Sequence, residues 1–341
     1  MPNITRRHLL AGSGATVLAA AVPATEAAAA KGLAGRSFLI TGTSSGFGRL
    51  GALHYARLGA KVFATMRNLP RPEAEELRKI AADEKLDIHI LPLDVMRDDQ
   101  VSAAVAEAER INGAPLDVLV NNAGIFIGGP VEVQDMEAMK LAFDTNVLGF
   151  QRTARAVLPG MRSRKSGLIF NVSSQAGRVI RPAGGLYSAT KFAVEAMSEQ
   201  MAYELAPHGI EVVIIQPGGF PTKVGENRAR YTAALATRID EKHAAGYPEL
   251  VAQMKSMPGA KPAAASPPPA AAFGSSTVPD PIEVPKAIAE IAMMPAGSRP
   301  LRRPVHPGAK PQLEINRVSA ETQLAMLSNS EFAPWAKAVL E

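Results

Sequence analysis

A glycine-rich loop between a short apolar run and a helical pattern constrains the fold of this chain more than any other feature. Residues 37–41 have the continuous apolar character of a strand buried on both faces, and Gly42-Thr-Ser-Ser-Gly46-Phe-Gly48 follows at once. Glycines let the main chain turn sharply and approach a diphosphate, while the N–H groups and dipole of the new helix bind its charge. The loop therefore predicts a dinucleotide site, with a purely structural turn as the alternative. Its predicted contact residues are Gly42, Ser44, Ser45, Gly46, Phe47 and Gly48.

Further apolar runs follow the first one, and helical patterns separate most of them. This alternation is typical of βαβ units, whose parallel strands are covered by helices on both faces. We therefore predict an α/β fold of the doubly wound, Rossmann type with a parallel sheet of about seven strands. The predicted strands span residues 37–41, 60–66, 88–93, 116–120, 168–172, 210–215 and 302–305.

The end of the second predicted strand is the place where dinucleotide-binding folds select their cofactor. An acidic residue there binds a ribose 2′-hydroxyl, whereas an arginine accepts a 2′-phosphate. This chain has Met66 and then Arg67. The sequence therefore favours NADP(H) over NAD(H), with an ordinary surface arginine as the alternative.

Tyr187 and Lys191 stand four residues apart at the start of a helical pattern, so they share one helical face. An ammonium near a phenol lowers the tyrosine pKa from about 10 toward neutrality, which suits a general acid/base. Ser174 follows an apolar strand-like run and can bring a hydroxyl to the same point. We expect the three side chains to hold a carbonyl oxygen. A half-buried aromatic beside a solvated lysine is the alternative interpretation.

Together these stretches resemble the short-chain dehydrogenase/reductase family, in its common single-domain form, from about residue 33 to residue 222. The resemblance implies hydride transfer between a nicotinamide cofactor and a carbonyl/alcohol pair. It implies that Tyr187 is the acid/base, that Lys191 lowers its pKa and binds ribose, and that Ser174 orients the carbonyl.

The resemblance also implies roles for residues at other strand ends. Asn146 lies within a helical pattern, where asparagine is unfavourable, and is implied to fix a water between Lys191 and solvent. The implied cofactor contacts at strand ends are Asp94, Val95, Asn121, Ala123, Gly124, Pro217, Gly218 and Thr222. From the residues alone, Asp94 is equally an N-cap for a helix over residues 98–111, and the others are strand caps or a Pro/Gly turn.

Composition limits the remaining classes of function. The 37 basic and 32 acidic residues give a net charge of +5, and no basic stripe interleaves with aromatics, which argues against a nucleic-acid partner. No cysteine is present, and the six histidines lack metal-ligand spacing, so we expect no disulfide and no metal site. One oxidoreductase domain over residues 31–341 is predicted.

The N-terminal segment, residues 1–30, resembles a twin-arginine export signal. Arg6 and Arg7 precede a mildly apolar Gly/Ala-rich run that ends in small residues suited to cleavage. The run is too weakly hydrophobic for a membrane span, so we expect no stable membrane anchor after signal removal. The segment predicts a periplasmic or secreted protein, with an N-terminal arm on a cytoplasmic enzyme as the alternative.

The region after residue 222 departs from regular periodicity. A single amphipathic helix is predicted over residues 225–243, and residues 258–279 are rich in Ala, Pro and Ser. By resemblance, residues 223–279 form a variable lid over a small-molecule carbonyl/alcohol substrate, and residues 300–341 a C-terminal extension. A steroid, a polyene, a sugar and a small ketone all remain open. The family pattern implies a homodimer or homotetramer.

Two other functions compete with the enzyme. A dinucleotide-binding sensor or partner protein without turnover has no need of Ser174, Tyr187, Lys191 and Asn146 together. A short-chain-type dehydratase or epimerase needs a second catalytic acid, and this sequence has none near Ser174. Arg178 and Arg181 are candidates to meet an anionic substrate, but we expect them to be solvated.

Overall fold

The computed structural model of the chain describes residues 32–257 and 276–341. The predicted export signal and the Pro-rich part of the predicted lid lie outside these described residues.

Seven parallel strands form a single sheet in the order β3-β2-β1-β4-β5-β6-β7. The strand order reverses between β1 and β4, which is where open α/β sheets bind ligands at the carboxyl ends of their strands. The predicted fold class is therefore confirmed. The strands are β1 (Ser37–Ile40), β2 (Lys61–Met66), β3 (Ile88–Pro92), β4 (Val118–Asn121), β5 (Gly167–Val172), β6 (Ile210–Pro217) and β7 (Arg302–Val305).

Helices connect successive strands and cover both faces of the sheet. They are α1 (Gly46–Arg57), α2 (Pro72–Asp83), α3 (Asp98–Asn112), α4 (Met136–Phe143), α5 (Gly149–Ser163), α6 (Tyr187–Leu205), α7 (Val224–Ala236), α8 (Glu241–Ala244), α9 (Pro248–Ser256), α10 (Glu283–Met293), α11 (Gln312–Leu327) and α12 (Ala333–Leu340). A π-helical turn, Asp144–Leu148, joins α4 to α5.

The single helix predicted over residues 225–243 is wrong. The chain leaves α7 after Ala236, and Asp240 adopts an extended conformation. Its side chain accepts a 2.9 Å hydrogen bond from the N–H of Lys242, which caps the new helix α8. A good N-cap residue inside an apolar pattern therefore divides the predicted helix in two.

The core lies on both sides of the sheet. Phe38 and Ile40 of β1 pack in the cluster that includes α1 and α10, whereas Leu39 packs in the cluster with α3, α5 and α6. Successive residues of a strand point to opposite faces, so a strand covered on both sides is apolar throughout. This explains the unbroken apolar runs from which the sheet was predicted.

Candidate active site

The glycine-rich loop has a shape that only glycines allow at two positions. Gly42 has φ +73°, and a Cβ there would lie 2.9 Å from the Cα of Ala123. A Cβ on Gly48 would lie 2.4 Å from the carbonyl oxygen of Gly42. The first turn of α1 therefore packs directly on the end of β1, as the spacing predicted.

The N-terminus of α1 carries no protein cap. Ser45 is the N-cap residue, but its side chain makes no capping hydrogen bond, and no acidic residue lies in the first turn. Uncapped N–H groups at a helix start, together with the helix dipole, form an anion site. The predicted contacts Ser44, Ser45 and Phe47 are half-buried at this end of the helix. The loop therefore fits the diphosphate of a dinucleotide.

Two neighbouring asparagines at the end of β4 have different roles. Asn122 donates 2.9 Å and 3.2 Å hydrogen bonds to the carbonyl oxygens of Thr41 and Gly42, so it fastens the glycine-rich loop. Asn121 is buried, and its side chain bonds Asn171 at 2.9 Å. Only the main chain of Asn121 can therefore serve as the predicted cofactor contact. The role of Asn122 in holding the glycine-rich loop was not predicted.

The predicted binding site for the adenosine end of the dinucleotide lies beside β2 and β3. The Arg67 guanidinium donates a 2.9 Å hydrogen bond to the hydroxyl of Tyr231 on α7, and it is attracted by the Asp94 carboxylate. Asp94 accepts a 3.0 Å hydrogen bond from the N–H of Met96. The N-cap of α3 is Arg97, so the alternative N-cap role for Asp94 is wrong.

The three side chains predicted to hold a carbonyl come together at the carboxyl end of β5. Tyr187 begins α6, and the Lys191 Nζ lies 5.7 Å from the centre of its ring. Lys191 is buried and donates a 2.8 Å hydrogen bond to the carbonyl oxygen of Val172. Ser174 lies two residues beyond that strand, and its hydroxyl is near enough to the Tyr187 phenol to favour a lower phenol pKa. The topology thus joins a strand end to a helix start.

Asn146 lies in the π-helical turn between α4 and α5 and is fully buried. Its amide bonds the N–H and the carbonyl of Ile125 at 2.8 Å and 2.9 Å, and donates to the Thr190 hydroxyl at 3.0 Å. A Cβ on Gly124 would lie 3.3 Å from Asn146 Oδ1 and 3.9 Å from Lys191 Nζ. The asparagine therefore ties the loop after β4 to helix α6, at the kind of π-bulge that often marks functional sites.

Burial shifts the pKa of both titratable groups in the site. It raises the pKa of the Tyr187 phenol, and the hydrogen bond from Ser174 opposes that rise. It also lowers the pKa of the Lys191 ammonium to about 8, against the opposing effect of Glu195. The predicted fall in the Tyr187 pKa is therefore wrong for this structure, because desolvation dominates. A phenol that keeps its proton at neutral pH can donate it to a carbonyl oxygen.

A buried charge network beneath α6 was missed from the sequence. Glu195 is 2% exposed and accepts a 2.9 Å hydrogen bond from Arg302 Nε, and Glu199 pairs with the same guanidinium. Arg178 is half-buried and donates a 2.9 Å hydrogen bond to Asn316, so the expectation that it is solvated is wrong. Glu195, one turn after Lys191, was the available signal, because a carboxylate on the inward side of a helix needs a partner.

The predicted nicotinamide contacts follow β6. Pro217 pairs with Val305 in the sheet, and a Cβ on Gly218 would lie 2.6 Å from the His306 ring. The Thr222 side chain lies beside Gly46, with a contact of 3.4 Å to a Cβ built there. The predicted contacts from both halves of the sheet thus lie at the same edge of the sheet. Their chemistry fits a nicotinamide dinucleotide.

Neither a membrane span nor a metal cluster is found in residues 32–257 and 276–341. No helix there has the length and apolar character needed to cross a bilayer. No three His, Cys, Asp or Glu side chains lie close enough to hold a metal ion.

Comparison with known proteins identifies the family. The profile of the short chain dehydrogenase family matches residues 36–232, which is more than half of the chain. The chain belongs to this family.

Two curated relatives show how far sequence similarity extends. The 3-ketodihydrosphingosine reductase of Bacteroides thetaiotaomicron is 39% identical over 190 residues, covering 56% of this chain and 66% of that protein. The mitochondrial D-beta-hydroxybutyrate dehydrogenase of Mus musculus is 36% identical over 204 residues, covering 58% of this chain and 57% of that protein. The match therefore spans less than two thirds of either relative.

Solved structures extend the likeness over more of the chain. A short-chain dehydrogenase from Streptomyces avermitilis, 28% identical, has a TM-score of 0.61 and covers 86% of this chain and 96% of that one. A gluconate 5-dehydrogenase from Burkholderia cenocepacia in complex with NADP and tartrate is 30% identical, with a TM-score of 0.54 and coverage of 67% and 94%. A 3-oxoacyl-[acyl-carrier protein] reductase from Brucella melitensis with bound NAD is 28% identical, with a TM-score of 0.53 and coverage of 63% and 82%. Similar structures thus hold either dinucleotide.

Proposed function

We propose that the chain is an NADP(H)-dependent oxidoreductase that interconverts a carbonyl and an alcohol, with Tyr187 as general acid/base. The observation that carries this proposal is the meeting of Ser174, Tyr187 and Lys191 at the carboxyl end of β5. This point lies at the same edge of the sheet as the uncapped start of α1. A proton donor and a dinucleotide-binding loop therefore serve one cleft.

The side chains divide the work of carbonyl reduction. The nicotinamide, when bound, supplies the hydride. The Tyr187 hydroxyl donates its proton to the carbonyl oxygen, and the Ser174 hydroxyl donates a hydrogen bond that orients that oxygen. The Lys191 ammonium, held by the Val172 carbonyl, stabilises the phenolate that remains. Alcohol oxidation reverses the proton transfer.

The preference for NADP(H) rests on Arg67. The guanidinium follows directly after β2, where dinucleotide folds bind the adenosine ribose. No carboxylate in the described residues forms an ion pair with Arg67, and its one side-chain partner is the neutral Tyr231 hydroxyl. The Asp94 carboxylate attracts this guanidinium without forming an ion pair with it, so the guanidinium can still bind a 2′-phosphate.

The first test is titration of the purified protein with NADPH and NADH by nicotinamide fluorescence, followed by turnover of a panel of ketones and aldehydes. Tyr187→Phe should lower turnover by about 10² to 10⁴-fold while leaving dinucleotide affinity unchanged, because only the proton donor is lost. Tyr203→Phe is the matched control, since Tyr203 lies on the same helix and bonds Glu199 rather than the site.

Each outcome has a distinct meaning. A Tyr187→Phe protein with full turnover would rule out the acid/base role. Tight dinucleotide binding without turnover of any carbonyl would instead favour the non-catalytic sensor.

We also propose that residues 1–30 direct twin-arginine export. The support is the Arg6-Arg7 pair before a weakly apolar, small-residue run. Replacing both arginines by lysine should keep the protein inside the cell, as measured by fractionation; an unchanged distribution would reject the signal.

A further inference from the structure

Arg228 lies on α7, in the part of the predicted lid that faces the catalytic residues. Its Cζ lies 4.7 Å from the centre of the Phe126 ring. Phe126 in turn stacks on Tyr187, with ring centres 4.4 Å apart and an interplanar angle of 14°. One aromatic ring therefore separates the guanidinium from the proposed proton donor.

The loop after β4 is shaped around this arginine. A Cβ on the buried Gly128 would lie 3.1 Å from Arg228 Nε and 3.3 Å from Nη2. The N–H of Gly128 donates a 2.9 Å hydrogen bond to the hydroxyl of Thr232, one turn further along α7. The guanidinium is thus held between an aromatic face and a glycine that leaves room for it.

Arg228 makes no side-chain hydrogen bond and no ion pair with the described residues. Its Nε is inaccessible to solvent and makes no hydrogen bond. Burial alone lowers the pKa of Arg228, with no charged neighbour acting on it. Residues 258–275, which the structure does not describe, contain no Asp or Glu, so they have no carboxylate to pair with it.

An unpaired N–H on a partly desolvated cation is unfavourable unless a ligand satisfies it. The planar fork of an arginine suits a carboxylate or a phosphate, which it binds through two parallel hydrogen bonds. A cation–π contact by itself explains the position over Phe126, but it leaves Nε without an acceptor.

We propose that Arg228 binds an anionic group of the substrate, so that the enzyme acts on carbonyl compounds that carry a carboxylate or a phosphate. The substrate then has its carbonyl at Tyr187 and its anion one ring thickness away, beside Phe126 and Gly128. This proposal names the substrate class of the proposed function and rests on it.

The test measures binding separately from turnover. Straight-chain keto acids from 3-oxobutanoate to 7-oxooctanoate, each paired with its methyl ester, are titrated into the protein with NADP⁺, which cannot reduce them. Broadening of the ligand methyl signal in NMR spectra reports affinity. A parallel series of keto phosphonates distinguishes a carboxylate from a phosphate-like group.

We expect at least one acid to bind about 10 to 100-fold more tightly than its ester, as a charge-assisted pair does. Arg228→Met should abolish this difference, and Arg228→Lys should restore part of it. Arg230→Met is the matched control, because Arg230 is exposed on the same helix and lies over Tyr231 instead. It should leave the difference unchanged.

Three results would overturn the proposal: acids that bind no better than esters, an advantage that survives in Arg228→Met, or one that Arg230→Met removes equally. The proposed function fails in a different way. Acids that bind through Arg228 but are never reduced with NADPH or NADH would reject turnover and keep the anion site. Reduction of acids and esters alike, independent of Arg228, would keep turnover and reject the anion site.

Discussion

Arg302 and Arg228 lie on two sides of helix α6 and have opposite surroundings. Beneath the helix, the Arg302 side chain is 6% exposed and pairs with both Glu195 and Glu199. Above it, at the lid, Arg228 has no ion pair with any described residue. Arg67, at the end of β2, likewise makes no ion pair with the described residues, and it donates a hydrogen bond to the Tyr231 hydroxyl.

This difference separates arginines that are paired within the fold from arginines that can bind a ligand. A buried cation with two carboxylates is satisfied within the fold, so its removal leaves unpaired anions. A half-buried cation without a carboxylate partner can still bind an anionic ligand. Replacing each arginine in turn therefore tests whether it stabilises the fold or binds a ligand.

Removal of the paired arginine should have the largest effect. Arg302→Met should lower the free energy of unfolding by about 3 to 5 kcal/mol, because Glu195 and Glu199 remain buried without a partner. Urea unfolding measures this loss. Adding Glu195→Gln and Glu199→Gln should recover most of it.

The exposed pair of Arg303 with Glu290 is the control for Arg302. Arg303→Met should change the free energy of unfolding by no more than about 1 kcal/mol. Equal losses in both variants would mean that the network beneath α6 is not a structural unit.

Lys191 lies at the boundary between the two sides, and burial lowers its pKa to about 8. The unfolded chain then binds more protons than the folded one between pH 8 and the ordinary lysine pKa of about 10.4, so the stability of the wild type rises with pH there. Relative to Lys191→Met, the wild type should gain about 2 kcal/mol between pH 7.5 and pH 9.5.

Urea unfolding of both proteins at the two pH values measures this gain. Lys79→Met, at an exposed position of α2, controls for the loss of a positive charge at the surface. A pH-independent difference between wild type and Lys191→Met would show that the ammonium is not desolvated.

Arg67→Asp should lower NADPH affinity relative to NADH by about tenfold or more, because a charge-assisted contact to a 2′-phosphate becomes repulsive. Fluorescence titration with both dinucleotides measures the ratio. Tyr231→Phe removes the lid contact of Arg67 and should leave the ratio unchanged. A ratio that follows Tyr231 rather than Arg67 would assign this arginine to the lid.

The smallest effect is expected for the stability of Arg228→Met. The contact with the Phe126 ring is lost, but no hydrogen bond or ion pair with the described residues is, so the free energy of unfolding should change by less than about 1 kcal/mol. A loss comparable with that of Arg302→Met would make Arg228 a structural residue and remove the contrast between the two sides.

Local rules sufficed for much of the fold. The seven strands were predicted within a few residues, and the central ones were recognised because burial on both faces makes each run apolar. The glycine-rich loop was predicted because its backbone admits no side chain. The division of α7 from α8 was missed, because a single Asp240 cap outweighed the apolar pattern around it.

The site, like the fold, was predicted only where its residues are near in sequence. Tyr187 and Lys191 were recognised because one helical turn brings them together. Which of two adjacent amides fastens the loop was not, because the pleat at the end of β4 turns Asn121 inward and leaves Asn122 to the loop.

The sequence by itself determined the strands of the sheet, the glycine-rich loop and the spacing of Tyr187 and Lys191, since all of these depend on near neighbours. Only the tertiary structure decided that Arg302 reaches Glu195 across 107 positions, and that Arg228 lies over Phe126 with no carboxylate beside it. Pairing across such separations depends on how helices pack on the sheet, which no local pattern specifies.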